Sequence, residues 1–463
     1  MSTNKIQKRI FGTDGVRGVA NIEPVTAETA LKLGRAVGHV FKQINSEARD
    51  HVRHRVVIGK DTRLSGYMLE NAICSGVLSM GVDVLLIGPL PTPGVAYVTR
   101  SLRADAGIVI TASHNPYADN GIKFFRGDGY KLDDKIEGDI EELVFSGEIE
   151  HVRPTAEAIG KAVRIDDALG RYIEHAKASF PRGMTLEGMR IVADCANGAS
   201  YKSTPCVLTE LGAEVFVVGN RPDGKNINRE CGSMHPDTFC QKVRELRADL
   251  GIAHDGDADR TLAVDHTGAV VDGDQIMAIL ALAAKDRGDL ARNTLVATVM
   301  SNLGLRIAMK QAGIEMIETK VGDRYVLEQI REGGYTLGGE QSGHLIFSRF
   351  ATTGDGILTG LQLGAQMAST GKSLKELASA MKVYPQVLIN VSGVNKDGVD
   401  SNAELQKVVK EAESELGDNG RVLLRASGTE ALVRVMVEAS ESGAAQSWAE
   451  RIARVVEREL KLP

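Results

Sequence analysis

Aromatic residues make up only 4% of this 463-residue chain. That is too few rings for the stacking platforms that grip single-stranded nucleic acid. Basic charge is not in excess either, because 55 Lys and Arg stand against 61 Asp and Glu for a net charge of −6. A protein-wide basic surface for nucleic acid is excluded, although a local pocket for an anion is not. Cysteine is scarce and unpatterned. Cys74, Cys195, Cys206, Cys231 and Cys240 are odd in number and never spaced as CxxC. Zinc and a disulfide framework are therefore poor readings, and reduced thiols in a cytoplasm are expected. Long apolar runs are also missing. The longest, Ile276–Ala284, has nine residues, against the ~20 that cross a bilayer. The opening MSTNKIQKRIFGTDG lacks the apolar core of a secretory signal, so no membrane association is expected.

Glycine, by contrast, is abundant at 50 residues without a collagen period, which implies many tight turns. The glycines help to mark an internal repeat. Arg55–Gly88, Arg190–Gly219 and Thr294–Gly322 each start with a β-branched run and pass through a polar turn. Each continues as a helix-period stretch ending near Gly81, Gly212 or Gly313, then runs into a second apolar strand. Strand, helix, strand is the βαβ pattern of α/β domains, and a glycine after the helix suits a left-handed cap. The tail reads differently, as a strand from Val387, a charged helix over 401–416, two strands and a last helix over 444–460. These segments predict three related α/β domains and a smaller C-terminal α+β domain, with boundaries at 1–155, 156–257, 258–370 and 371–463. The small polar stretch Ala368–Ser373 reads as a flexible connection before the last domain.

Four polar loops carry candidate chemistry, about one per domain. Thr111-Ala112-Ser113-His114-Asn115-Pro116 follows the apolar run AGIVI, and strand ends are where α/β proteins hold ligands. Ser113 is either a nucleophile or phosphate carrier or a capping residue in a turn. Lys123, soon after, is either a proton-transfer group, if its pKa is lowered, or a phosphate contact. In His254-Asp255-Gly256-Asp257-Ala258-Asp259-Arg260, three carboxylates at alternate positions are costly unless a cation neutralises them. Oxygen ligands suit Mg²⁺ or Mn²⁺. An EF-hand fails on spacing, since its sixth position would be Arg260 rather than Gly. The alternative is a solvated acidic turn. Gly338-Gly339-Glu340-Gln341-Ser342-Gly343-His344 offers a hydroxyl-binding surface or simply a polar turn. Arg425-Ala426-Ser427-Gly428-Thr429-Glu430, with Arg434, is an anion cradle or a hairpin turn carrying surface arginines. Neither a P-loop nor a kinase glycine-rich loop is present, so a nucleoside triphosphate is not the expected phosphoryl donor in each turnover.

Taken together, these loops resemble the α-D-phosphohexomutase superfamily, in the right order and over nearly the whole chain. The blocks Phe11–Gly18, Thr319–Val326 and Thr352–Gly356 look most like the bacterial phosphoglucosamine mutases. The resemblance implies three related α/β domains with mixed sheets plus a C-terminal domain around a central cleft. It implies that Ser113 is the phosphoserine, assisted by His114, Lys123 and Arg260. Asp255, Asp257 and Asp259, with the Ser113 phosphate, would hold one Mg²⁺ per subunit. Glu340 and Ser342 would bind sugar hydroxyls, and Arg425, Ser427, Gly428, Thr429 and Arg434 the non-reacting phosphate. The implied reaction interconverts glucosamine 6-phosphate and glucosamine 1-phosphate through glucosamine 1,6-bisphosphate, on the way to UDP-N-acetylglucosamine. A homodimer in the cytoplasm is the expected setting. The rival activities are a phosphomannomutase/phosphoglucomutase and a metal-dependent sugar phosphatase. Two departures stand out: Ala258 replaces the family's usual glycine, and Ala431 its usual proline.

Overall fold

A computed structural model describes residues 10–12, 14–44, 53–426 and 432–462. It contains two compact units. One reaches to Val299 and includes Ile317–Ala378; the other joins Met300–Met316 to Ser379–Pro463.

The three expected repeats are present as strand, helix, strand. They are Arg55–Lys60, Ser65–Ser79 and Asp83–Pro89; Arg190–Asp194, Ser203–Glu210 and Glu214–Val218; and Thr294–Thr298, Leu303–Gln311 and Glu315–Thr319. Gly81, Gly212 and Gly313 all take positive φ, as the left-handed cap requires. In the first two repeats the strands pair in parallel.

What positions the chemistry is the way each sheet changes direction. Ala106–Ile110 runs parallel to Arg55–Lys60 and antiparallel to Asp119–Arg126. Leu250–His254 runs parallel to Arg190–Asp194 and antiparallel to Thr261–Asp265. Leu337–Gly339 runs parallel to Thr294–Thr298 and antiparallel to Leu345–Phe347. In all three, the central strand hands over to its antiparallel neighbour through one of the polar loops. These strands are buried at every position, which is why, apart from His254 at the end of one, their sequences are continuous apolar runs instead of alternating ones.

The second unit holds a three-stranded antiparallel sheet in the order Gln386–Ser392, Leu432–Ala439, Gly420–Ala426. Helices Ala403–Leu416 and Ser442–Glu459 complete it. Its link to Met300–Met316 centres on the buried Glu438. That carboxylate accepts from Asn302 Nδ2 at 3.0 Å and Leu303 N at 3.2 Å, and pairs with Arg421 at 2.5 Å.

One expectation fails. Ala368–Ser373 is not a loose connection but the end of helix Gly356–Thr370, closed by Gly371 at φ 67°. Ser373 then bonds Glu376 at the start of helix Leu374–Ala378. Small polar residues cap helices as readily as they populate linkers. Among the described residues no helix is long and apolar enough to cross a membrane.

Candidate active site

Ser113 leaves the strand Ala106–Ile110 at φ 52°, a left-handed conformation unusual for a side-chain-bearing residue. Its Oγ donates to Asp255 Oδ2 at 2.6 Å. His114 Nδ1 lies 3.3 Å from the same hydroxyl and 3.2 Å from Arg260 Nη1. Burial and the neighbouring Arg260 and Arg17 push the His114 pKa down to about 4, so at neutral pH this imidazole accepts hydrogen bonds and carries no charge.

Asp255, Asp257 and Asp259 are buried and each presents an oxygen within 4.8 Å of the others. The alternation of the motif puts all three on the inside of one loop. Gly256 must be glycine, because a Cβ there would lie 2.6 Å from the Ser113 carbonyl. Ala258 takes φ 54°, so the side chain that replaces the family's glycine sits in a strained conformation. Burial, followed by repulsion from Asp259 and Asp257, pushes the Asp255 carboxyl well up. Asp259 is held well down, because Lys123, His344 and Arg260 outweigh its burial. Asp257 Oδ1 and Asp259 Oδ1 are buried with no hydrogen-bond partner. Two orphaned anionic oxygens beside a third buried carboxylate, Asp255, fit a hard divalent cation.

Lys123 reaches the same cluster. Its Nζ is 3.0 Å from Asp14 Oδ2, 3.0 Å from Asp257 Oδ2 and 3.5 Å from Asp259 Oδ2. The lowered pKa that would make it a base is not found. Burial favours the neutral amine, but the three carboxylates overrule it and raise the pKa well above the lysine range. Lys123 is a fixed cation.

The third loop joins the first two through its last residue, His344, to which the sequence reading gave no role. His344 Nδ1 faces Asp259 Oδ2 at 3.7 Å, while its Nε2 accepts from Gly354 N at 3.1 Å. Glu340 Oε1 accepts from Gly322 N at 3.1 Å, and Ser342 is exposed. Also overlooked were Asp14, Arg17, Lys131 and Asp323. Lys131 Nζ bridges Asp14 and Asp323, 2.5 Å from each, and Arg17 pairs with Asp14 at 3.1 Å. Asp14, Arg17 and Asp323 lie in the blocks that carried the family resemblance; Lys131 had no motif to mark it. Behind the acidic loop, Gly356 N donates to Ala258 O at 3.0 Å. Asp355 caps that helix, receives Tyr172 OH at 2.9 Å, and is pushed up to about 6 by burial.

In the second unit, Arg425 and Arg434 are directly opposed across antiparallel strands. Like charges so placed repel, an arrangement suited to a shared anion. Ser427, Gly428, Thr429 and Ala431 lie outside the described residues.

Family models of phosphoglucomutase/phosphomannomutase match the chain four times, in the expected order. Alpha/beta/alpha domain I covers residues 8–150, domain II 170–268, domain III 272–384 and the C-terminal domain 388–455. A phosphoglucosamine mutase of Syntrophotalea carbinolica is 57% identical over 456 residues, 98% of both chains. One of Myxococcus xanthus is 54% identical over 455 residues, also 98% of both. A phosphoglucomutase/phosphomannomutase family protein of Burkholderia thailandensis superposes with TM-score 0.78 at 25% identity, covering 98% of this chain and 99% of that one. The fold is also shared with Aspergillus fumigatus N-acetylphosphoglucosamine mutase, solved with GlcNAc-6P and magnesium. Its TM-score is 0.65 at 19% identity, over 97% of this chain and 96% of that one.

Proposed function

This chain belongs to the phosphoglucomutase/phosphomannomutase family, alongside its bacterial phosphoglucosamine mutases, and on that premise we propose that it interconverts glucosamine 6-phosphate and glucosamine 1-phosphate with Ser113 as phosphoryl carrier. The observation that carries this reading is the 2.6 Å contact between Ser113 Oγ and Asp255, inside a buried triad with orphaned oxygens. A serine that only capped a turn would not need three buried carboxylates beside it.

Asp255, Asp257, Asp259 and the Ser113 oxygen are the groups that would hold Mg²⁺; when bound it neutralises charge on the transferring phosphoryl oxygens. The residues divide the remaining work. Arg260, against His114 and Asp255, and the fixed cation Lys123, paired with Asp257 and Asp259, supply positive charge to the site, where negative charge spreads over the phosphoryl group in transfer. His114, uncharged, accepts from Arg260 at Nδ1 and orients that guanidinium next to the Ser113 oxygen. Glu340 and Ser342 receive sugar hydroxyls. Arg425 and Arg434, with Ser427, Gly428 and Thr429, hold the phosphate that is not reacting. Phosphoserine 113 gives its group to one substrate oxygen and recovers the other phosphate from glucosamine 1,6-bisphosphate after that intermediate turns over. The product supplies UDP-N-acetylglucosamine synthesis in the cytoplasm, and the working assembly is a homodimer.

The test compares turnover of the 6-phosphates of glucosamine, mannose and glucose, with and without Mg²⁺, while following free phosphate. Preferred isomerisation of the glucosamine ester is expected. Preference for a hexose ester would move the chain to a sister activity, and phosphate release without isomerisation would make it a phosphatase.

A further inference from the structure

A fully buried arginine lies directly beneath the serine loop and takes no part in the scheme above. Arg63 occupies the turn between strand Arg55–Lys60 and helix Ser65–Ser79, and its side chain has 0% exposure. That turn runs beside the serine loop because their parent strands are parallel neighbours, with Lys60 opposite Ile110 and Asp61 N bonded to Ile110 O at 3.0 Å.

Every donor of the guanidinium is engaged. Nε bonds Asp61 Oδ2 at 2.8 Å. Nη2 donates to Ser113 O at 2.9 Å and Asn115 O at 2.8 Å. Nη1 donates to Asp119 O at 3.1 Å and to Pro116 O. Asn228 reinforces the grip from another loop, donating through Nδ2 to Ser113 O at 2.8 Å and Asn115 O at 3.1 Å. Asp61 also receives Thr111 Oγ1 at 2.7 Å, and Thr111 Oγ1 accepts from Ser113 N at 2.9 Å. The backbone of Ser113 is thereby held at both its N–H and its carbonyl.

We propose that Arg63, seconded by Asn228, is a positioning residue that holds Ser113 in its left-handed conformation and so sets the placement of Oγ for phosphoryl transfer. This rests on the reading of Ser113 as the carrier. Three arguments support it. A left-handed non-glycine residue is strained and persists only where its surroundings over-determine it. A guanidinium with all five N–H groups bound to protein has none left for substrate. Its charge is matched by Asp61, so its contribution to the loop is chiefly geometric. Lysine, with three donors, must abandon at least two of these five bonds.

The experiment uses the full chain as wild type, Arg63→Lys and Asn228→Ala. Each is loaded with phosphate from the sugar bisphosphate and checked by intact mass and peptide mapping. Single-turnover transfer to glucosamine 6-phosphate is then timed by rapid quench, alongside KM. Misplacing a reacting atom by about 1 Å costs about 100-fold in rate, so Arg63→Lys should transfer about 100-fold more slowly with KM within about twofold. Asn228→Ala, losing neutral hydrogen bonds, should be slower by up to about tenfold. The readout is the rate constant, since partial unfolding would lower the amplitude instead. A loaded Arg63→Lys protein transferring at the wild-type rate overturns the proposal. If that variant does not fold, wild-type transfer by Asn228→Ala overturns it. Wild-type protein carrying no phosphate on Ser113 would overturn both this proposal and the carrier assignment beneath it, whereas normal loading with unaltered transfer in both variants overturns the positioning role alone.

Discussion

On the proposed function, Ser113 concentrates the chemistry into one oxygen, which makes its removal the most decisive change. Ser113→Ala should leave the fold intact and lower turnover by more than about a thousandfold; substantial residual isomerisation in a coupled assay would refute the carrier role. Asp257 contributes charge and an oxygen with no protein partner. Asp257→Asn should therefore raise the half-saturating Mg²⁺ concentration at least about tenfold, with excess Mg²⁺ restoring part of the activity. An unchanged Mg²⁺ titration would place the metal elsewhere. Ala258 is a different kind of residue, tolerated at a cost. At φ 54° an L-side chain is strained by about 1–2 kcal/mol, and glycine recovers that at some expense in unfolded-chain entropy. Ala258→Gly should gain up to about 1 kcal/mol in denaturant unfolding. The family's habitual glycine was legible in the sequence as a departure, but its consequence was not, since φ is a property of the folded loop.

At the scale of elements, two features have measurable signatures. Asp355 caps helix Gly356–Thr370 and is buried against Tyr172, with its pKa raised to about 6 from an ordinary 3.8. Its folded form prefers the proton, so its stabilising contribution is complete below about pH 4 and is lost as pH rises through 6. A shift of this size is on the order of 2–3 kcal/mol. Asn retains a capping oxygen without titrating, so Asp355→Asn should gain stability relative to wild type between pH 4 and 7. Parallel unfolding curves for the two proteins at both pH values would contradict this. The other feature is the facing pair Arg425 and Arg434. Arg425→Ala should remove a charge-assisted phosphate contact worth ~1.5–3 kcal/mol, a ~10–150-fold rise in KM, without altering Ser113 phosphorylation.

At the scale of the molecule, a cation held by the buried acidic triad would link metal binding to stability. A cation that binds only the folded chain adds about 2.7 kcal/mol at a hundredfold excess over its Kd. Chelation should lower the thermal midpoint of wild-type protein, and lower that of Asp257→Asn much less. Equal shifts in both would mean that the cation acts elsewhere.

Local sequence by itself determined the repeats, their helix-ending glycines and the loops that carry the serine and the three aspartates. Those features depend on β-branched runs, on φ at single residues and on alternation within a few positions, all of which act at short range. The charged blocks that revealed the family contain Asp14, Arg17 and Asp323, yet nothing in them says that Lys131 bridges two of these. The protonation states were also out of reach. Lys123 is a cation only because carboxylates from two other segments surround it, and His114 is neutral only because it is buried between arginines. Arg63 looked like any polar residue in a turn after a strand. Its role emerges where two parallel strands end side by side and one guanidinium meets four carbonyls of the neighbouring loop. Tertiary structure alone decided these points, because burial and the meeting of distant charges do not exist until the chain has folded.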